Sequence, residues 1–269
     1  MASLPLTRLD LTTSSVAEEL GLVALTDIAS AVSNEPQHRI IGGHMVSLHV
    51  RRWRLDLFRE TADADIGVVP AAVRTPELVD RLQALGYRRF AGNRFGRAVD
   101  GLPTVDGRVP EAVVDILVPS YTSRPRQTLS FGDHLTTTEV PGLALALQRP
   151  AVDIPISFRR TDGYLVQTSV RIPDETAALA LKVLTRSVRN EDKDAVDVWR
   201  CLEVCVAAGI SNRDFGADTE SVDRILSTDF GRGGPGIQAI RASQRLSTRA
   251  TEQLETRIQA LIHRILSPS

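Results

Sequence analysis

The stretch Asp63-Ala64-Asp65-Ile66-Gly67-Val68 is typical of a β-strand, is ended by Pro70, and carries two carboxylates. Side chains at positions i and i+2 of a strand lie on the same face, so Asp63 and Asp65 are predicted to stand side by side. Carboxylates that close repel each other unless a cation or a shared proton lies between them. Two Mg²⁺ ions would meet this need, because hard cations take oxygen ligands and leave positions open for phosphate and water. Most isolated Asp-x-Asp sequences are loops or helix caps, so the interpretation depends on the segments around this one.

A glycine pair, Gly42-Gly43, precedes the carboxylates at a predicted junction between the short apolar segment Arg39-Ile40-Ile41 and a helix. Glycine lets a backbone approach a phosphate closely, and the first turn of a helix offers free N–H groups. The pair is therefore a candidate phosphate-binding turn, with an ordinary tight turn as the alternative. Arg59 and Thr61, just before the carboxylates, could bind phosphate or simply cap the strand.

A third carboxylate, Asp115, lies inside the apolar run Ala112-Val113-Val114-Asp115-Ile116-Leu117-Val118. Burying an acidic side chain in a strand is costly unless the side chain is paired or coordinates a metal. A two-metal site needs such a third carboxylate from a neighbouring strand, to hold the ion that activates the attacking hydroxyl. The alternative is an edge strand whose aspartate points into water.

The lysines form a fourth feature, because the chain has 32 basic residues and only Lys182 and Lys193 are lysine. A lysine in an arginine-rich chain can mark a site that needs a compact ammonium. Lys182 could hold a triphosphate, and Asp194 could position it or assist proton removal. Asp192 is the expected N-cap of the helix that contains Asp194, and Lys182 lies on the preceding helix. A solvated, charged pair of helices is the alternative interpretation.

The combination of these features resembles the DNA polymerase β-type nucleotidyltransferase superfamily, in which Gly-Gly is followed by Arg-x-Thr-x-Asp-x-Asp and a later strand aspartate. The helical segment is similar to a pattern of the AbiEii and MenT toxin nucleotidyltransferases: a lysine, an arginine, a basic-Asp pair and a final Asp-Leu or Asp-Val. In this chain the pattern falls on Lys182, Arg189, Lys193-Asp194 and Asp197-Val198. The resemblance covers residues 38–200.

The resemblance implies a site, a cofactor and a reaction. Asp63 and Asp65 match the metal-binding pair, Asp115 the third carboxylate, and Lys182 and Asp194 the later motifs. Family members use Mg²⁺ and a nucleoside triphosphate, and some are toxins of toxin–antitoxin pairs. The MenT type transfers nucleotides to tRNA 3′ ends, so tRNA and a cognate antitoxin protein are the implied partners.

The chain departs from the family pattern at two places. His44 follows the glycines where a small residue is common, and we interpret it, like His49, as a packing residue rather than a metal ligand. The following helix also carries Arg51-Arg52-Trp53-Arg54. This cluster could contact nucleic acid through phosphates and stacking, or it could be a solvated helix face with one core aromatic.

Hydrophobic periodicity predicts an α/β fold, with strands and helices in residues 1–172 and a helical domain in 173–269. The resemblance implies that residues 1–172 form a nucleotidyltransferase-like core with a mixed β-sheet. Helices are predicted at 15–33, 44–58, 75–85, 173–188, 193–208, 219–227 and 237–266. Strands are predicted at 64–70, 87–95, 112–119, 153–158 and 164–172. The stretch 120–150 is predicted to be rich in loops, and 230–236 to be a flexible break.

Composition limits the possible functions. Net charge is -1, so there is no global basic signature for nucleic acid. No apolar run is long enough for a membrane helix, and the first residues lack a signal-peptide pattern, so we expect a cytoplasmic protein without membrane contact. Cys201 and Cys205 are spaced for a buried helix face rather than a disulfide or a zinc site.

The sequence therefore predicts a Mg²⁺-dependent nucleotidyltransferase, with the tRNA 3′ end as its expected acceptor. Two alternatives remain open: a small-molecule nucleotidyltransferase of the aminoglycoside-modifying sort, and a non-catalytic nucleotide-binding module.

Overall fold

The computed structural model describes residues 4–104, 107–121, 127–189 and 191–267. Its strands are β1 (Leu9–Leu11), β2 (His38–Ile41), β3 (Asp63–Val68), β4 (Arg88–Ala91), β5 (Arg94–Ala98), β6 (Glu111–Pro119), β7 (Thr128–Phe131), β8 (Leu135–Val140), β9 (Ala151–Arg159) and β10 (Leu165–Pro173). Its α-helices are α1 (Val16–Ala31), α2 (Gly42–Arg52), α3 (Glu77–Ala84), α4 (Leu143–Gln148), α5 (Glu175–Arg186), α6 (Asp192–Ala208), α7 (Thr219–Asp229), α8 (Pro235–Gln244) and α9 (Thr248–Leu266). Short 3₁₀ helices lie at Pro70–Val73 and Asn212–Asp218.

The predicted fold class is confirmed, since strands and helices mix up to Pro173 and the described residues beyond it form helices. The division into domains at 172/173 stays a prediction. Of the helices of the described residues, none is both long and apolar enough to cross a membrane.

Two sheets organise the first part of the chain. The larger has the strand order β2-β3-β6-β5-β4, and β8, which also pairs with β7, adds to the end of β6. The pairs β3/β6 and β6/β8 are parallel and the other pairs in this sheet are antiparallel. The smaller sheet has the order β1-β9-β10. Strands β3 and β6 thus lie side by side in the middle of the larger sheet, where a site can be built from both.

One face of β3 and β6 is the core of the sheet. Ala64 lies opposite Val114 and Ile66 opposite Ile116, and all four side chains are fully buried. Helix α1 packs across these two strands. Because side chains alternate between faces, the residues between them, including the carboxylates, are directed to the other face.

Helix α2 differs from the predicted 44–58 helix because it includes both glycines and ends at Arg52. Arg54 adopts a left-handed conformation with φ of 56°. The N–H of Arg54 donates to the carbonyl of Arg51 at 3.0 Å and that of Leu55 to Val50 at 2.9 Å, the hydrogen-bond pattern of a Schellman motif. The chain beyond residue 54 can therefore return toward β3 instead of continuing along the helix axis.

The strand predicted at 87–95 is a hairpin in the structure. Strand β4 pairs antiparallel with β5, and the chain turns between Ala91 and Arg94 at Gly92, which has φ of +35°. The dipeptide Gly92-Asn93 between two strand-like runs was the signal for this turn.

The predicted loop-rich stretch 120–150 is largely ordered secondary structure. It contains β7, β8 and α4, while residues 122–126 lie outside the described residues. Residues Leu143-Ala144-Leu145-Ala146-Leu147 alternate in size and lack the spacing of an amphipathic helix, yet they lie in the short helix α4. Gly142, with φ of +81°, precedes this helix. Leu143 occupies the space over Gly67 that a Cβ there would need, so a larger residue in β3 would displace α4.

In the helical part, the predicted 237–266 helix is divided into α8 and α9. Arg245 is left-handed with φ of 51°, and the N–H of Leu246 donates to the carbonyl of Arg241, which ends α8 as a Schellman motif. The predicted break is confirmed for residues 230–234, because α7 ends at Asp229 and α8 begins at Pro235, and its flexibility stays a prediction. Cys201 and Cys205 are buried free thiols on α6, as the spacing predicted.

Candidate active site

The three predicted carboxylates come together at the centre of the large sheet. Asp65 is the direct register partner of Asp115 across the parallel pair of β3 and β6, and Asp63 is two residues before Asp65 on the same face. Asp115 is 9% exposed and lies on a central strand, so the edge-strand alternative for it is wrong. The sheet register alone therefore groups three acidic side chains from two strands.

The electrostatics of this group are strained. Burial and then the carboxylates of Asp63 and Asp115 raise the pKa of Asp65 to about 7, against the opposing effect of Lys182 and Arg189. Burial also raises the pKa of Asp115, and Arg94 opposes that rise. Because burial and mutual repulsion disfavour the charged forms of these carboxylates, a bound cation would stabilise them.

The glycine turn lies against the carboxylates. Gly42 has φ of +65°, and a Cβ at this position would collide with Oδ2 of Asp65. A Cβ on Gly43 would come within 2.6 Å of Thr61 Oγ1 and 2.7 Å of Arg59 Nη2. Helix α2 begins here without a side-chain cap, so backbone N–H groups of its first turn remain available for a ligand. Gly42 is therefore required by close approach as well as by conformation, and Gly43 by close approach.

Asp197 on α6 organises the basic side of the site. Its carboxylate accepts two hydrogen bonds from Arg59, at 3.0 and 3.1 Å, and one each from Lys182 at 2.7 Å and Arg200 at 3.2 Å. Burial acts to raise the pKa of Asp197, but these three cations outweigh it and the pKa is lowered. Arg59 and Lys182 are thereby fixed in place next to the glycine turn.

Arg189 and Asp194 form a second basic–acidic pair. The guanidinium of Arg189 donates to both oxygens of Asp194 at 2.7 and 2.8 Å, and this carboxylate raises the pKa of Arg189. Asp194 is buried and fully engaged, so its chemistry is to position Arg189 rather than to remove a proton. Glu191, not Asp192, occupies the N-cap position of α6. Its carboxylate also forms an ion pair with the ammonium of Lys193, at 3.2 Å.

The glycine turn, the carboxylates and the basic side chains other than Arg200 line one polar cavity of about 230 Å³. It is formed by the following residues: Gly42, Gly43, Arg59, Thr61, Asp63, Asp65, Arg94, Asp115, Lys182, Arg189, Glu191, Lys193, Asp194 and Asp197. Every predicted site residue is therefore among them. The carboxylates of Asp63, Asp65 and Asp115 come from β3 and β6. Lys182 comes from α5, Lys193 from α6 and Arg189 from the connection between these two helices.

Sequence reasoning did not identify Glu191, which lines the cavity, nor Asn93 and Arg94, which contact the carboxylates. Asn93 Nδ2 donates to Asp115 Oδ1 at 3.3 Å, and Arg94 Nη1 lies 3.3 Å from Asp115 Oδ2. Nη2 of Arg94 lies 3.7 Å from Asp63 Oδ2. Asn93 lies in the turn between β4 and β5, and Arg94 is the first residue of β5, where the sequence analysis predicted a single strand.

The donor set fits a hard divalent cation, since it consists of carboxylate oxygens and the hydroxyl of Thr61. Thr61 Oγ1 is buried and has no hydrogen-bond partner among the described residues. Across that same part of the chain, no cluster of three or more His, Cys, Asp or Glu side chains has its atoms arranged to hold a metal. In this arrangement the carboxylate of Asp115 is paired with Arg94, and that of Asp65 lies against Gly42.

The arginines of the Arg51–Arg54 cluster are largely engaged inside the protein. Arg51 pairs with Glu18 at 2.8 Å, and Arg52 pairs with Glu175 at 2.6 Å. Trp53 packs against the core and donates to the same Glu175. The cluster thus belongs to a helix face with one core aromatic, and its two paired arginines are poorly placed to bind nucleic acid.

His44 and His49 are buried, as predicted for packing residues. Burial lowers the pKa of His44 to about 4, so its ring is neutral at physiological pH. His49 Nε2 lies 2.9 Å from the carbonyl oxygen of Pro173.

Comparison of the chain with protein-family models and with curated proteins gives no match in either case.

Proposed function

We propose that this protein is a Mg²⁺-dependent nucleotidyltransferase, which moves a nucleoside monophosphate from a triphosphate to an acceptor hydroxyl. The observation that carries the proposal is the single polar cavity that combines Asp63, Asp65 and Asp115 with Lys182 and Arg189. Carboxylates for cations and fixed basic groups for phosphates are the two requirements of phosphoryl-group transfer.

Asp63, Asp65 and Asp115 would hold the divalent ions in this function. When bound, such ions neutralise phosphate charge and make the acceptor hydroxyl easier to deprotonate. The backbone N–H groups at Gly42 and Gly43 and the ammonium of Lys182 would bind the β- and γ-phosphates.

The transfer itself exchanges one bond for another. The acceptor oxygen forms a bond to the α-phosphorus, the bond from that phosphorus to the bridging oxygen breaks, and pyrophosphate leaves. The proton of the acceptor hydroxyl passes to a carboxylate oxygen of Asp115, which lines the cavity. Arg59 and Lys182, both held by Asp197, offset the charge that develops on the leaving pyrophosphate.

For the acceptor, the proposal favours the 3′ end of a tRNA, as for a toxin restrained by an antitoxin. Exposed Arg88, Arg89 and Phe90 lie on β4, at the edge of the large sheet. The hairpin they belong to turns directly beside Asp115, through Asn93. A single-stranded end could neutralise its phosphates on the arginines and stack a base on Phe90.

The test is incubation of the protein with each α-³²P-labelled nucleoside triphosphate and total bacterial RNA, with and without Mg²⁺. We expect label in a tRNA-sized band, pyrophosphate release, and loss of both in Asp65→Asn. Asp153→Asn, at an exposed ion pair on β9, is the matched control and should retain the activity. Label on an added aminoglycoside instead of RNA would support a small-molecule enzyme. If triphosphate binds but no pyrophosphate is released in any reaction that contains Mg²⁺, a catalytic role is contradicted.

A further inference from the structure

The guanidinium of Arg94 lies where a cation is needed between two of the carboxylates. Its Nη1 is 3.3 Å from Asp115 Oδ2 and its Nη2 is 3.7 Å from Asp63 Oδ2. One side chain thus contacts carboxylates on both β3 and β6. The positive charge of Arg94 offsets the repulsion between the carboxylates of Asp63 and Asp115.

The backbone of Arg94 is fixed by the sheet. Arg94 is the antiparallel register partner of Asp115, and the N–H of Ile116 donates to the carbonyl oxygen of Asn93 at 3.0 Å. Its side chain is by contrast 44% exposed and lines the cavity. The guanidinium can therefore leave the carboxylates by side-chain rotation alone, without any change in the sheet.

We propose that Arg94 is a built-in counter-cation of the metal site, which neutralises Asp63 and Asp115 when no divalent ion is bound and which a divalent ion must displace. This inference rests on the proposed function only in taking these carboxylates as the metal ligands. It explains why the carboxylate oxygens do not converge in the structure, since Asp115 is turned toward Arg94.

Two measurable consequences follow, one for each state of the site. Without Arg94, divalent ions no longer compete with a guanidinium, so their affinity rises. Two partly exposed ion pairs together account for about a tenfold difference in binding constant. When Arg94 and the divalent ion are both absent, no positive charge offsets the repulsion among the carboxylates. The melting temperature of the Arg94→Ala variant therefore falls in chelator and recovers when the ion is added.

The experiment compares the wild-type protein, Arg94→Ala and Arg94→Lys by calorimetric titration with Mg²⁺ alone, and by thermal unfolding in EDTA and in Mg²⁺. We expect Mg²⁺ to bind Arg94→Ala about tenfold more tightly than wild type, with Arg94→Lys between them because one ammonium cannot span both carboxylates. Arg171→Ala removes the same charge from an exposed ion pair with Asp153 in the smaller sheet, outside the cavity lining, and should bind Mg²⁺ like the wild type.

Equal or weaker Mg²⁺ binding by Arg94→Ala would overturn the proposal, as would a melting temperature lowered equally in EDTA and in Mg²⁺. The latter is the result for an ion pair with only a structural role. Because the readouts are metal binding and unfolding, tighter binding would stand even if no nucleotide transfer were found. Conversely, transfer by the wild type with unchanged binding in the variant would refute only the role of Arg94.

Discussion

Replacing Asp197 with asparagine tests whether the basic side of the cavity is assembled around one buried carboxylate. The substitution keeps the side-chain shape but leaves Lys182, Arg200 and the less buried Arg59 without their shared counter-ion. Lys182 is 7% and Arg200 1% exposed, so water cannot replace the lost charge. Breaking one partner of a buried ion pair costs about 3–5 kcal/mol, and we expect Asp197→Asn to lower the free energy of unfolding by that amount at pH 7.

The matched control is Asp153→Asn. Asp153 makes a comparable two-point contact with Arg171, but its side chain is 54% exposed. Surface pairs contribute about 0–1 kcal/mol, so this control should unfold almost like the wild type. Urea denaturation of the three proteins, followed by circular dichroism, measures the differences.

The pH dependence provides a second check on Asp197. Its folded-state pKa is lowered from the ordinary value of 3.8, so its contribution to stability is present above that value and is lost as pH falls through the folded-state pKa. The gap between wild type and Asp197→Asn should therefore be constant from pH 7 to pH 5 and shrink only below about pH 4. A loss no larger than that of the Asp153 control, or a gap that is unchanged at pH 3, would refute this account of the cluster.

Three further predictions concern particular positions. Gly42→Ala should lower the free energy of unfolding by more than the about 1–2 kcal/mol that a left-handed residue costs, because its Cβ also collides with Asp65. Gly163→Ala, at φ of +86° with no atom within 4 Å of the new Cβ, should lower it only by that conformational amount. Urea denaturation measures both. Arg245→Gly should raise the free energy of unfolding by about 0.5–1 kcal/mol, since glycine adopts this left-handed helix end without strain, and a decrease would contradict the assigned end of α8. Both buried cysteines should react with a thiol reagent only as fast as the protein unfolds, because burial raises the pKa of Cys201 to about 12, and rapid reaction in the folded protein would be inconsistent with that burial.

Much of the candidate site could be predicted because it follows from local periodicity. The alternation in β3 assigns Asp63 and Asp65 to one face whatever lies next to the strand, and the apolar run around Asp115 requires a buried strand. That β3 and β6 are neighbours in register is a non-local fact. The sequence indicated that these two strands are neighbours only through the requirement that their carboxylates share a cation.

The missed features depend on backbone conformations that residue type does not dictate. The left-handed conformations of Arg54 and Arg245 end helices that a hydrophobic pattern alone would continue. The pairing of Lys182 with Asp197, and of Arg94 with Asp115, arises from packing between elements distant in sequence. Residue type indicated charge at these positions, but only the fold reveals which charges meet.

Crystals soaked with Mn²⁺ and a non-hydrolysable nucleoside triphosphate would test the central claim most directly, through the anomalous scattering of manganese. The account predicts at least one anomalous peak within coordination distance of Asp63, Asp65 and Asp115, with the triphosphate extending toward Gly42 and Lys182. A triphosphate bound in this cavity without manganese at the carboxylates, or manganese bound only elsewhere on the molecule, would contradict it.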